Sequence, residues 1–232
     1  MSGRLLQVVA LLGVLATAAT AADAGEEWHP CSGNGWMVTG ASTEEQMLIC
    51  KSVEEASEVL ASCGVRTGSV TRIRVVEEMP LSCGVKVYGL YDSARDEILL
   101  GNPAICLAHA SEGSLFDRIA PPLAFVAIAA HEATHAILYA GGLGADRHLE
   151  HEYIAAVVQM SVLPTAEREA ILEPLRIGET VGIWELNPLI QALQPDRFVG
   201  LAWRHFEGEP DGCAYLRAMA EGTLRLEDFS PF

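Results

Sequence analysis

The stretch from Pro121 to Ala140 constrains this chain more than any other. It is apolar almost throughout, opens on Pro121-Pro122 and stops at Gly141-Gly142, the asymmetry expected of a helix. Its middle nevertheless reads His131-Glu132-Ala133-Thr134-His135. Four residues of helix turn about 400°, so the two histidines face one way, one turn apart. Two His and a Glu on an apolar helix destined for the interior are costly without partners. A satisfied core histidine would account for one of them, not for three. Two imidazoles in this register can each place a ring nitrogen on one zinc ion. Glu132 lies about 100° round the helix from His131, placed to address a water on the metal instead of the metal itself.

Composition narrows the setting. With 232 residues, 50% apolar and 20% charged, the chain suits one domain with a real core. Its 31 acidic against 15 basic residues, a net charge of −16, argue against nucleic acid and anionic lipid as partners. Residues 1–21 read as a secretory signal: Arg4 at the start, an apolar run from Leu5 to Leu15, and Ala19-Thr20-Ala21 at the cleavage positions. The run is shorter than the ~20 residues a spanning helix needs, so no stable membrane insertion is expected once the signal is removed. Its brevity and alanine-rich end fit a bacterial exporter, with a periplasmic or secreted product. Cys31, Cys50, Cys63, Cys83, Cys106 and Cys213 all follow the signal, and an even number in an exported chain predicts up to three disulfides. None is spaced as C-x-x-C, which removes zinc ribbons and thioredoxin-type sites.

Along the chain, residues 22–41 read as loop, and Gly33-Asn34-Gly35 as a turn. Ser42 or Thr43 caps a helix that runs to Ser62, with Glu44 and Glu45 in its first turn and Gly64 as terminator. Strands are expected at Arg72–Glu77, Val85–Tyr91 and Glu97–Leu100, the last two joined by an Asp92–Asp96 turn. Beyond Leu115 the pattern is helical. The expected fold class is α+β, one domain over 22–232. Residues 22–120 supply a helix and a small mixed sheet, 121–163 the metal-site helices, and 164–232 a helical part completing the core, with one cleft wall as a candidate further role. Cys213 is a candidate to tie that last part to the N-terminal half, and His109 and His205 read as structural histidines.

The His131-Glu132-Ala133-Thr134-His135 pattern resembles that of the zincin metallopeptidases. Gly89-Leu90-Tyr91-Asp92 followed by Glu97-Ile98-Leu99-Leu100 resembles the strand pair that precedes the active-site helix in many small zincin-like proteins. The resemblance covers about Arg72 to Leu163 and implies a sheet edge beside the metal, along which extended peptide substrates pair. The zincin branch with a third histidine requires Gly at 138 and His at 141. Leu138 and Gly141 stand there, so that branch is excluded.

The other large branch takes a glutamate from a following helix. Downstream, Glu152, Ala155, Ala156 and Gln159 share one helical face, with small alanines that let two helices approach. Sixteen residues separate His135 from Glu152, close to the spacing of the glutamate-ligand aminopeptidase relatives. The resemblance therefore implies zinc held by His131, His135 and Glu152, with Glu150, His148 and His151 as rivals for the third place. It also implies Glu132 as general base on a zinc-activated water, acting on a peptide or protein substrate. Tyr139 is a candidate oxyanion donor or a packing residue, and Asp146, Glu150 and Asp117 are candidates to orient the histidines. The Gly141–Gly144 connection reads equally as a cleft rim or a helix terminator. A membrane-embedded protease is set aside because no further spanning segment accompanies the helix. Two alternatives stay open: a secreted zinc-binding module without catalysis, and a disulfide-stabilised interaction domain.

Overall fold

In a computed structural model, residues 26–32, 35–67, 71–79, 81–82, 85–104 and 115–230 are described. The signal expected over residues 1–21, Cys83, Cys106 and His109 lie outside them. The architecture is α+β, with a five-stranded mixed sheet and seven α-helices among the described residues.

In chain order the strands are β1 (His29–Pro30), β2 (Met37–Thr39), β3 (Arg72–Val76), β4 (Leu81–Ser82), β5 (Val85–Lys86), β6 (Gly89–Asp92) and β7 (Glu97–Gly101). The main sheet has the order β1-β2-β3-β7-β6. Its inner strands β2, β3 and β7 are parallel, and the edge strands β1 and β6 run antiparallel to their neighbours. Two sequence expectations need correcting. Residues 22–41 are not all loop, because β1 and β2 form there; at two and three residues they are too short for any alternation to show. The strand expected over Val85–Tyr91 is divided, since Val85–Lys86 pairs with β4 in a separate ribbon and only Gly89 onward joins the sheet. Pairing partners, which are tertiary, set that break. The β6–β7 turn is as expected: Asp92 Oδ1 accepts from Ala94 N at 2.9 Å and Arg95 N at 3.3 Å, and Asp96 takes φ 50°.

Helix α1 (Thr43–Ser62) connects β2 to its parallel neighbour β3. It starts at a capping box, with Glu45 N donating to Ser42 Oγ at 3.3 Å and Ser42 N to Glu45 Oε2 at 2.7 Å. Gly64 just beyond it takes φ +75°. Its buried face, Ile49, Ser52, Val53, Ala56 and Leu60, packs on α2 (Pro121–Ala140), and Ser52 Oγ donates to Val126 O at 2.6 Å. Helix α2 is buried along most of its length, between α1, the β6–β7 hairpin and α3 (His148–Ser161). Its apolarity, sufficient for a membrane span by length and composition, serves the core instead, with 72% of the most apolar stretch inside the molecule.

The chain closes with α4 (Thr165–Leu172), α5 (Pro188–Leu193), α6 (Pro195–Gly208) and α7 (Gly212–Ala220). Helix α6 lays Phe198, Leu201 and Ala202 into the core beside α3. Disulfides Cys31–Cys50 and Cys63–Cys213 clamp the N-terminal strands to α1 and the end of α1 to α7. The second closes a loop of 150 residues and ties the C-terminal helices to the N-terminal half. Two disulfides in so small a domain suggest an oxidising, extracytoplasmic environment.

Candidate metal centre

The site is built where α2 and α3 cross. Ala129, Ala130, Ala133 and Ala136 on α2, and Ala155 and Ala156 on α3, are at most 1% exposed. Such small side chains let the two helices approach closely. That approach brings Glu152 to the two histidines. His131 Nε2 and His135 Nε2 lie 3.1 Å apart; Glu152 Oε1 is 3.5 Å from His135 Nε2, and Glu152 Oε2 is 3.7 Å from His131 Nε2. One ligand atom from each residue falls within 4.8 Å of the others, a group able to hold a metal ion.

The surroundings of the two histidines orient them toward the site. His131 Nδ1 is 3.0 Å from Gln159 Oε1, an amide oxygen that can only accept. His131 therefore donates from Nδ1 and turns Nε2 to the site. Burial, then the neighbouring imidazoles of His131, His151 and His148, hold the His135 pKa well below the ordinary histidine value. The residue that orients His131 is thus Gln159 and none of the acidic candidates. Its signal was its place two turns beyond Glu152 on the same face; its pairing with His131 depends on the helix crossing, which no spacing reveals.

The rivals of Glu152 have other tasks. Glu150 is 2% exposed and accepts from Leu226 N at 2.6 Å and Arg147 Nε at 3.2 Å. Arg147 reaches on to the carbonyls of Gly222 and Leu224, so Glu150 anchors the C-terminal segment. His151 Nε2 donates to Leu143 O at 3.1 Å. That contact pins the Gly141–Gly144 connection, as does Leu143 N on Leu138 O at 3.0 Å, so this connection is a helix terminator. His148 stands at the cleft mouth, its Nδ1 3.8 Å from Glu152 Oε1. His205 is buried in the core, its Nδ1 2.8 Å from the hydroxyl of Tyr153.

Glu132 points to strand β6, and its Oε2 accepts from Tyr91 N at 2.9 Å. Burial pushes its carboxyl up to about 7; His131 and the Tyr91 N–H oppose the rise and Glu152 adds to it. The approach of strand and helix requires Gly89, where any Cβ would lie 2.6 Å from Glu132 Cγ. Gly101 N donates to Tyr88 O, so Tyr88, Leu90 and Asp92 turn their backbone groups into the sheet. The backbone groups of Gly89 and Tyr91 consequently face the cleft. Neither Gly89 nor the Tyr91 amide was singled out from sequence, because a glycine in a strand has many explanations.

The cleft extends to both sides of the group. One part, about 380 Å³, lies between β6, Tyr139 and His148. Tyr139 is 39% exposed there and meets Tyr91 edge-on at 6.0 Å, so it lines the cleft and is not a buried packing residue. The other part, about 540 Å³, has a more apolar wall from the Leu115–Phe116 turn and α6.

One family, described as a family of unknown function (DUF6639), matches residues 36–228, a span that includes both ligand helices, β6 and the Cys63–Cys213 disulfide. No curated protein and no solved structure matches the chain significantly.

Proposed function

This chain belongs to the DUF6639 family, and we propose that it is a zinc-dependent metallopeptidase of the zincin type, exported to the periplasm or the cell exterior. The observation that carries the proposal is the meeting of His131, His135 and Glu152 beside Glu132, in a cleft whose opposite wall is an open sheet edge.

The donor set fits zinc. Two neutral imidazoles and one carboxylate are its usual company at catalytic sites. Tetrahedral ligands at ~2.0–2.1 Å stand about 3.4 Å apart, and the separations here are 3.1, 3.5 and 3.7 Å. The side chains of the three residues keep 14–20% exposure, toward the cleft, so the group is not sealed as a structural site would be. Zinc bound there would supply Lewis acidity to water and to a carbonyl.

The chain's own residues would do the rest. The outward backbone groups of Gly89 and the Tyr91 carbonyl offer hydrogen bonds to an extended peptide. Glu132, fixed by the Tyr91 amide, takes a proton from the attacking water and delivers it to the amine that leaves. Gln159 keeps His131 in the ligand tautomer.

The test is metal content of the purified, signal-free protein by mass spectrometry, with hydrolysis of a mixed peptide library measured alongside. About one zinc per chain is expected. Glu152→Ala should lose it, whereas Glu132→Gln should retain it and lower hydrolysis by about 10²–10⁴-fold. A protein that binds no zinc when refolded in its presence, or a zinc protein without hydrolysis that Glu132→Gln abolishes, would sink the proposal.

A further inference from the structure

The larger part of the cleft carries a statement about substrate. It begins at Val87–Gly89, passes over His131 and Glu132, and ends against α6. Its walls are Phe116, Ile128, Phe198 and Val199, with Phe198 2% and Ile128 5% exposed. These walls are held in place by other contacts. Leu115 N donates to Asp196 Oδ2 at 3.0 Å, fastening the Phe116 turn to the first turn of α6. The Phe116 ring meets Tyr88, just before β6, edge-on at 6.3 Å. Strand edge, turn and helix thus enclose one apolar recess directly beside the metal group. Asp196 and Gln191 also border it, but the Asp196 carboxylate is committed to the Leu115 amide.

A chain extended along β6 presents side chains alternately toward and away from the cleft floor. We propose, resting on the peptidase reading above, that the recess between Phe116, Ile128, Phe198 and Val199 selects a bulky apolar side chain, of leucine or phenylalanine type, in a polypeptide lying along β6. The substrate class is then unfolded or extended polypeptide with such a residue next to the reacting bond. Selectivity follows from removing that side chain from water into a wall that is already formed.

The experiment uses the signal-free protein loaded with zinc, its content verified by mass spectrometry. Three peptide hydroxamates, identical except for a benzyl, methyl or aminobutyl side chain, are titrated by calorimetry. The shared metal-binding group cancels in the comparison. The benzyl compound should bind at least about tenfold tighter than the methyl one. Val199→Trp, which fills the recess, and Phe116→Ala, which opens its wall, should each cut that ratio to about threefold or less with zinc content unchanged. Equal binding of all three compounds to zinc-loaded protein, or tightest binding of the aminobutyl compound, would overturn the apolar recess and leave the peptidase reading standing. Absence of zinc before any hydroxamate is added would overturn that reading itself, and the recess with it.

Discussion

Helices α2 and α3 are both buried and both contribute to the metal group, yet they handle polar residues in opposite ways. Helix α2 is apolar except for Thr134 and the site itself: Thr134 Oγ1 returns its proton to Ala130 O at 2.8 Å, and His131, Glu132 and His135 face the cleft. Helix α3 distributes its polar groups around its circumference. Glu152 and Gln159 turn to the site, Glu150 to the C-terminal segment, His151 to the connection between α2 and α3, and Tyr153 to His205. A buried polar group must find a partner. On α2 the two histidines turn to Glu152 in a group able to hold a metal ion and Glu132 turns to the Tyr91 amide, whereas on α3 most partners are structural segments of the protein. The contrast is sharpest between Glu150 and Glu152, two carboxylates two residues apart.

Those two should separate stability from metal binding, and this is the largest effect expected. Glu150→Ala strands Arg147 and the Leu226 amide, a loss of about 3–5 kcal/mol, or a fall in Tm of roughly 6–20 °C. The protein that remains folded should bind zinc with near wild-type affinity. Glu152→Ala should weaken zinc affinity by about 100-fold or more while leaving the Tm of the zinc-free protein within about 2 °C, because its carboxylate faces the imidazoles and the cleft and, among the described residues, anchors no other segment of the chain. Calorimetric melting with and without a chelator measures both. Equal loss of metal-free stability in the two variants would erase the distinction between the helices.

Gly89→Ala breaks the comparison from the strand side. The new methyl would meet Glu132 Cγ at 2.6 Å. Glu132 or β6 must then shift, at a cost of about 1–3 kcal/mol. Peptide hydrolysis should fall with the displaced carboxylate, while zinc stays bound, since the three atoms nearest the new methyl all belong to Glu132 and none to a histidine. A fully active Gly89→Ala protein would show that Glu132 needs no fixed place against Tyr91.

How far the sequence discloses this arrangement follows the same division. The α2 group is legible because its chemistry lies within one turn of one helix and is out of character with the apolar residues around it. Helix α1 and the β6–β7 turn are legible because Ser42, Glu45 and Asp92 use local hydrogen bonds. The choice of Glu152 over Glu150 depended on family resemblance, since both sit in the first turns of one helix and only the crossing with α2 gives them different surroundings. Gln159, Gly89 and the α6 wall were beyond reach for a related reason: each acts through contacts between segments that are far apart in the chain. Asp196 meets Leu115 across 81 residues, and Arg217 meets the Cys63 carbonyl across 154.

Gln159 sharpens the comparison by serving α2 from α3. Gln159→Leu removes the acceptor that fixes the His131 tautomer, and zinc affinity should fall about 10- to 100-fold. Gln159→Glu keeps an acceptor and should restore binding to within about threefold of wild type or exceed it, because a carboxylate raises the basicity of the ligand imidazole. Competition with a chromogenic chelator reads the difference. Unchanged affinity in Gln159→Leu would mean that helix packing alone orients His131.

The smallest effect concerns the structural side of α3. Burial lowers the pKa of His205 below its ordinary 6.5, with Glu209 opposing. The imidazole Nδ1 and the Tyr153 hydroxyl share a hydrogen bond of 2.8 Å. The unfolded chain therefore binds a proton at His205 more readily than the folded one. The stability from this contact is complete above pH 6.5 and declines as pH falls through that value. In zinc-free protein, Tm should drop between pH 7.5 and 5.5, and the drop should be smaller in His205→Gln, which cannot take up the proton. Because Tyr153 neighbours Glu152 but points the other way, zinc affinity at pH 7.5 should be the same in His205→Gln and wild type. A coupled loss of affinity would mean that the two faces of α3 are not independent, and that the packing of Tyr153 against α6 helps aim Glu152.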